Sequence, residues 1–222
     1  MKNKIKRNTF LYKIFLYKFF LKNIFLKKKK SYSQFGEDLI IDNFFNSFIG
    51  TYVDVGCYHP FKYNNTMLLY NRGWSGTNID LNPTSIDLFN ISRKRDKNVV
   101  ACLSNKEEKL NIYFDNILSP LNSNYRNNLK NFKIQNYKKI KTKAQIFSKI
   151  IKKKFDFLNI DCEGSDFKIL KSIDLNFYRP KLICVEVLSK NKKKIYRYLN
   201  QFNYKVLKVK KISHIFVRST NI

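Results

Sequence analysis

Acidic residues, histidine and cysteine are the scarce components of this 222-residue sequence. It carries 16 Asp+Glu against 44 Lys+Arg, with two His and four Cys. His59, His214, Cys57, Cys102, Cys162 and Cys184 form no CxxC and no Cys/His cluster at metal spacing, which excludes a zinc centre. Four scattered cysteines, each in or just after an apolar run, exclude a disulfide framework and read as reduced, packed thiols of a cytosolic protein. No GxGxxG run is present, which argues against a pyrophosphate cradle and so against a nicotinamide dinucleotide. Long apolar runs are missing too. Within Phe10–Leu26, Lys13, Lys18 and Lys22 leave no uncharged run longer than four residues, far short of the roughly 20 that a spanning helix needs. The same lysines, and the lack of a small-residue cleavage site, exclude a signal peptide.

What is present is charge and aromatic surface. The formal net charge of +28 has the sign of a nucleic-acid or anionic-membrane footprint. Yet 36 of the cations are Lys and Ala occurs twice, biases that AT-rich codons impose, so part of the charge is a solvated face. Twenty Phe and 14 Tyr exclude wholesale disorder. The length leaves room for one α/β domain with a full core, not two. Residues 1–30 stand apart: they hold +11 and no acid, and their aromatic, lysine-interrupted pattern suits a helix lying in an anionic interface. The domain is expected over residues 31–222.

From residue 31 strands and helices alternate. A helix over Leu39–Phe45 precedes strands at Thr51–Gly56, Gly76–Asp80, Asn98–Leu103, Phe155–Asp161 and Lys181–Val187, with helices at Thr66–Tyr70 and from Pro83. Near-continuous apolar strands between helices predict a parallel sheet covered on both faces. After a helix over Lys192–Phe202, the alternation in Tyr204–Val209 and Ser213–Arg218 predicts an antiparallel ribbon. Residues 114–147 break the rhythm, and the loop composition of Asp115–Asn128 points to a lid or substrate loop.

Ligands of open α/β sheets bind beyond the carboxyl ends of the strands. Three such ends carry chemistry here. Val53-Asp-Val-Gly-Cys-Tyr-His-Pro60 holds a glycine that lets a turn approach a ligand. Asp80 ends the second strand, where a carboxylate takes the two ribose hydroxyls of an adenosyl group. Asn159-Ile-Asp-Cys-Glu-Gly164 ends the fourth. With no pyrophosphate cradle, an adenosyl ligand without phosphates fits best.

These segments, with Ser33-Gln-Phe-Gly-Glu-Asp38, Asn65-Thr66, Leu69-Tyr70, Arg72-Gly-Trp-Ser-Gly76 and Asn78-Ile-Asp-Leu-Asn-Pro83, resemble the FkbM family of S-adenosylmethionine-dependent methyltransferases from residue 31 to about 218. The resemblance implies the Rossmann-like, seven-stranded class I methyltransferase fold, a mostly parallel sheet with a terminal antiparallel ribbon. It also implies a bacterial O-methyltransferase acting on a sugar hydroxyl of a surface glycan or its lipid-linked precursor. By the same resemblance Asp54, Gly56, Cys57 and Tyr58 wall the methionine end of S-adenosylmethionine, Asp80 holds the ribose, and Leu81 and Asn82 lie beside the adenine. Leu103 and Ser104 flank its other edge, and Gln34 and Glu37 close over the amino-acid end.

Methyl transfer to a hydroxyl requires alignment of the nucleophile and removal of its proton. Asp161, Glu163 and His59 are the candidates for that base. Asp161 and Glu163 can alternatively hold Mg²⁺ to orient vicinal sugar hydroxyls, or cap the helix that follows them. The expected location is cytoplasmic, peripheral on the inner face of the cell membrane. An RNA or protein methyltransferase, or a cofactor-binding relic with a glycan-binding role, are the alternatives. The scarcity of Arg, with no aromatic-rich binding motif, speaks against a specific nucleic-acid partner.

Overall fold

The structure, a computed structural model, describes residues 7–24, 29–114 and 137–219. The chain runs through α1 (Phe10–Ile24), α2 (Glu37–Phe45), β1 (Thr51–Val55), α3 (Met67–Asn71), β2 (Ser75–Asp80), α4 (Pro83–Ser92) and β3 (Lys97–Val100). Then come β4 (Cys102–Leu103), β5 (Glu108–Phe114), β6 (Lys138–Gln145), α5 (Phe147–Ile150) and β7 (Phe157–Ile160). The last elements are α6 (Asp166–Leu170), α7 (Leu175–Tyr178), β8 (Leu182–Glu186), α8 (Lys192–Gln201), β9 (Tyr204–Lys210) and β10 (Ser213–Arg218).

Seven strands form the central sheet in the order β3-β2-β1-β7-β8-β10-β9. The first five are parallel, and β10 is antiparallel to both β8 and β9. The chain steps outward from β1 to β3 and then returns to β7 on the other side of β1. That reversal opens a crevice at the carboxyl ends of β1 and β7. β7 and β8 are buried along their whole length, as the apolar runs predict. One face of the sheet packs Val53, Val55, Leu158 and Ile160 under Ile169, Leu175, Ile195 and Leu199. The other packs Tyr52, Phe157 and Cys184 under Ile41, Phe45, Leu69 and Trp74. This is the three-layer α/β class expected.

Three elements differ from the sequence reading. The third strand is two strands in different sheets. Lys97–Val100 pairs with β2, whereas Cys102–Leu103 turns away to pair with Ala144 and Gln145 of β6. Within residues 114–147, read as breaking the strand–helix rhythm with a lid or substrate loop, Lys138–Gln145 forms β6, antiparallel to β5 in a small sheet β4-β6-β5. The alternation Leu110, Ile112, Phe114 was the signal for it. The expected lid, Asp115–Asn128, lies outside the described residues. Finally, α1 is docked on the domain. Thr9 caps it, accepting from the Tyr12 N–H at 3.2 Å. Tyr12 and Leu16 bury against Leu88 of α4, and Arg7 makes two hydrogen bonds to Asp87.

One buried cation ties the layers together. Arg93, fully buried just after α4, donates to Pro60 O (3.1 Å), Asn64 Oδ1 (2.8 Å) and the Tyr52 hydroxyl (3.1 Å). Asp96, 4.0 Å away, balances its charge and itself accepts from Tyr52, Gly76 N and Asn78. Removing one member of such a pair leaves the other charge uncompensated. Arg93→Met is therefore expected to lower unfolding free energy by about 3–5 kcal/mol. Arg93→Lys should fail to restore it, lacking the planar fork. Urea denaturation of the three proteins measures this; a loss under about 1 kcal/mol, the range of an exposed pair, would remove Arg93 from that role.

Candidate active site

A cleft opens at the carboxyl ends of β1, β2 and β7. Its walls bring together Gly56, Tyr58, Asp80, Leu81, Leu103, Asp161 and Glu163 from the sequence-predicted set.

Gly56 has φ +79°, and a Cβ built there would overlap the backbone carbonyl of Asp161. Glycine is what lets β1 turn against the end of β7. Asp80 is fixed by two backbone donors, Tyr58 N to Oδ2 (2.8 Å) and Asn82 N to Oδ1 (2.7 Å). Each oxygen keeps a further acceptor site. Burial pushes Asp80 up to about 6, against the pull of those two N–H groups. Tyr58 and Glu163 both hold left-handed backbone, at φ +51°, without being glycine. Such strain costs on the order of 1–3 kcal/mol and is kept where surrounding structure over-determines it.

The second feature is acidic. Asp161 opens onto the cleft, and the carboxyl oxygens of Asp161, Asp166 and Glu186 lie within 4.8 Å of one another. Asp166 is committed to the turn, accepting from Cys162 N (2.7 Å) and Gly164 N (2.9 Å). Carboxyls this close cannot all ionise. Burial, then Asp166 and Asp161, push Glu186 to about 10, so at neutral pH it keeps a proton to share with Asp166. Burial and Asp166 raise Glu163 to about 7. Enclosure in the cleft and the neighbouring acids hold Asp161 well above the usual carboxylate range. A pair of ligands from Asp161 and Glu163 alone is not the grouping found. The convergent oxygens come from β8 and α6 as well.

The other predicted residues lie outside the cleft lining and make contacts within the scaffold. Asp54 is buried within β1 and accepts from Asn159 (2.8 Å), Thr66 (3.1 Å) and Asn64 (3.4 Å), joining strands and loop from beneath the cleft. Cys57 packs on Ile86 and Phe89. Asn82 caps α4 by accepting from Thr84 N at 3.0 Å, and Ser104 donates to Glu108 at 2.6 Å. Glu37 is buried and accepts from Phe35 N, while Gln34 is exposed and does not line the cleft.

His59 lies outside the cleft lining. It is buried, its Nδ1 accepts from Phe61 N at 2.9 Å, and Phe19 of α1 covers its ring at 5.1 Å. Burial, with Lys62 and Arg93, lowers its pKa to about 3. His214 meets the Tyr196 hydroxyl of α8 at 2.6 Å.

Sequence reasoning missed Ser85, Cys102 and Ile112 as cleft residues, and Asp166 and Glu186 behind it. Ser85 is the most telling. Its Oγ is buried and has no hydrogen-bond partner among the described residues. Its place three residues into the helix after Asp80 was the available signal.

The shared proton has a consequence for stability. A carboxyl titrating near 10 when folded and near 4.3 when unfolded stabilises most below the lower value, and that contribution is lost as pH rises through the interval. Glu186→Gln, which keeps a donor for Asp166, should therefore melt above the parent at pH 8.5. The gap should shrink as pH falls toward 5. Thermal unfolding across that range tests it, and a pH-independent gap would assign Glu186 no raised affinity for its proton.

Residues 54–206 match the family described as Methyltransferase FkbM domain, over more than half of the chain. In structure the chain is similar to the methyltransferase FkbM from Methylobacillus flagellatus KT, with 10% identity and a TM-score of 0.52 over 76% of this chain and 43% of that one. It is also similar to a TehB-like SAM-dependent methyltransferase from Corynebacterium glutamicum ATCC 13032 Kitasato, with 13% identity and a TM-score of 0.51 over 91% and 96% of the two chains. TehB from Haemophilus influenzae follows at 12% and 0.50, over 89% and 66%. This chain thus spans less than half of the Methylobacillus protein and just under two thirds of the Haemophilus one. No curated protein matches it in sequence. These likenesses carry the fold, the class I methyltransferase architecture, and the match along the sequence carries the family: the chain belongs to the FkbM family of methyltransferases.

Proposed function

We propose that the chain transfers the methyl group of S-adenosylmethionine to a hydroxyl of a sugar, within a surface glycan or its lipid-linked precursor. The observation that carries this reading is the pairing, in one cleft, of an adenosyl-type wall with two carboxyls, Asp161 and Glu163, at the end of β7. Asp80 offers the ribose its remaining acceptor sites, Leu81, Leu103 and Ile112 offer apolar surface to the base, and the unpartnered Ser85 Oγ offers a further polar contact. These residues fit an adenosyl group.

When bound, S-adenosylmethionine supplies an electrophilic methyl on a positively charged sulfur. Asp161 and Glu163 offer carboxyl oxygens at that side of the cleft to hydrogen-bond vicinal hydroxyls, which suits a sugar. Glu163 takes the hydroxyl proton as the nucleophile forms its new bond. A base works best when its pKa lies near the operating pH, and about 7 meets that condition.

Turnover on a sugar acceptor should fall as pH drops through about 7, because only ionised Glu163 accepts a proton. Glu163→Gln should lower turnover by roughly 10²–10⁴-fold and flatten that limb, leaving cofactor affinity within a few-fold. Asp80→Ala should instead weaken S-adenosylmethionine binding by about 1.5–3 kcal/mol, and Ser85→Ala by about 0.5–1.5 kcal/mol. Calorimetry and pH–rate profiles separate the two sets. An unchanged profile in Glu163→Gln moves the base to Asp161, and unchanged affinity in Asp80→Ala removes the ribose role.

A further inference from the structure

Helix α1 is apolar on both sides, but the domain covers only one of them. At 100° per residue Tyr12, Phe15, Leu16, Phe19 and Phe20 share one face. That face meets Leu88 and Ile91 of α4 and, through Phe19 and Phe20, His59 and Phe61 in the loop after β1. On the opposite face Phe10 is 77% exposed, Leu11 68%, Tyr17 61% and Leu21 53%. Exposed lysines accompany this stripe, Lys13 on one edge, Lys22 on the other and Lys18 between Leu21 and Leu11. No acidic residue precedes Glu37 in the sequence, and Asp87, the acid of α4 that α1 meets, is engaged by Arg7 and Tyr12. Among the described residues no helix is long and apolar enough to cross a membrane, so α1 does not span.

We infer that the outward face of α1 binds an anionic lipid surface, lying parallel to it. An apolar stripe edged by lysines is what the headgroup boundary accepts: the rings and Leu side chains enter the acyl region, and the lysine stems reach back to the phosphates. A second protein would have to match the same alternation of aromatic and cationic groups over a full 15-residue helix, and a neutral bilayer would leave the lysines without counter-charge. The docked face of α1 also fixes the orientation. It sits on the loop whose Tyr58 lines the cleft, so lipid contact would hold the mouth of the site close to the bilayer. The inference stands independently of which acceptor is methylated.

The test uses the full chain and vesicles of phosphatidylglycerol and phosphatidylcholine, beside vesicles of phosphatidylcholine alone. The parent protein should co-sediment with the anionic vesicles. It should keep part of that binding at about 0.5 M salt, where charges are screened beyond roughly 4 Å. Combined Phe10→Ser, Leu11→Ser, Tyr17→Ser and Leu21→Ser changes should lower binding by about tenfold or more. Combined Lys13→Gln, Lys18→Gln and Lys22→Gln changes should weaken the preference for anionic lipid. All these side chains point away from the domain, so circular dichroism and S-adenosylmethionine affinity should match the parent and show that the variants fold. Parent-like vesicle binding by the folded serine variant overturns the inference. So does binding that salt abolishes entirely and that an RNA competitor reproduces, which would leave a general polyanion affinity. Concentration-dependent dimers lost in the serine variant, with no vesicle binding by the parent, would hand the face to a second copy.

Discussion

A guanidinium with no access to water must be surrounded by acceptors, and Arg93 sets that requirement at the centre of this fold. Its partners come from β1, from Pro60 and from Asn64, so one side chain decides where the loop between β1 and α3 runs. That loop also closes over Asp54, since Asn64 and Thr66 donate to its carboxylate while Asn159 reaches it from β7. Two buried charges of opposite sign thus share one set of intermediaries. The strand pair at the chain reversal is thereby locked to the loop that walls the cleft.

On that platform the cleft holds backbone that would not persist alone. Tyr58 and Glu163 both adopt left-handed conformations, and Gly56 and Gly164 beside them do the same more cheaply. The acids at the other wall have a topological origin. Parallel strands deliver their carboxyl ends to the same edge, so the residues that finish β7 and β8 meet whether or not their charges agree. Protons settle the disagreement. Glu186 retains one and Asp166 is held by the turn, which leaves Asp161 and Glu163 as the acids that line the cleft.

Much of this was legible before any coordinates. Gly56, Asp80 and Glu163 lie at ends of apolar runs, and period and composition locate such ends well. The failures share a cause: a side chain's surroundings depend on chain that arrives from elsewhere. His59 looks available beside Pro60, yet Phe19, forty residues earlier, covers it. Asp54 looks like a ligand-facing acid until Asn159 and Thr66 supply its partners. Asn98–Leu103 is one apolar run, and apolarity does not record that the chain changes sheets at Ala101. Glu186 reads as the polar end of a strand, and only the packing of α6 against β8 makes it part of a proton-sharing group.

Docking of α1 also bears on the order in which the molecule is made. The helix is synthesised before its seat, which consists of His59 and Phe61, about 40 residues further on, and of Thr84, Asp87, Leu88 and Ile91, about 70 residues further on. At roughly 5–20 residues per second, both apolar faces of α1 wait on the order of seconds for that seat. Until that seat forms, the exposed rings and leucines of α1 are an aggregation hazard.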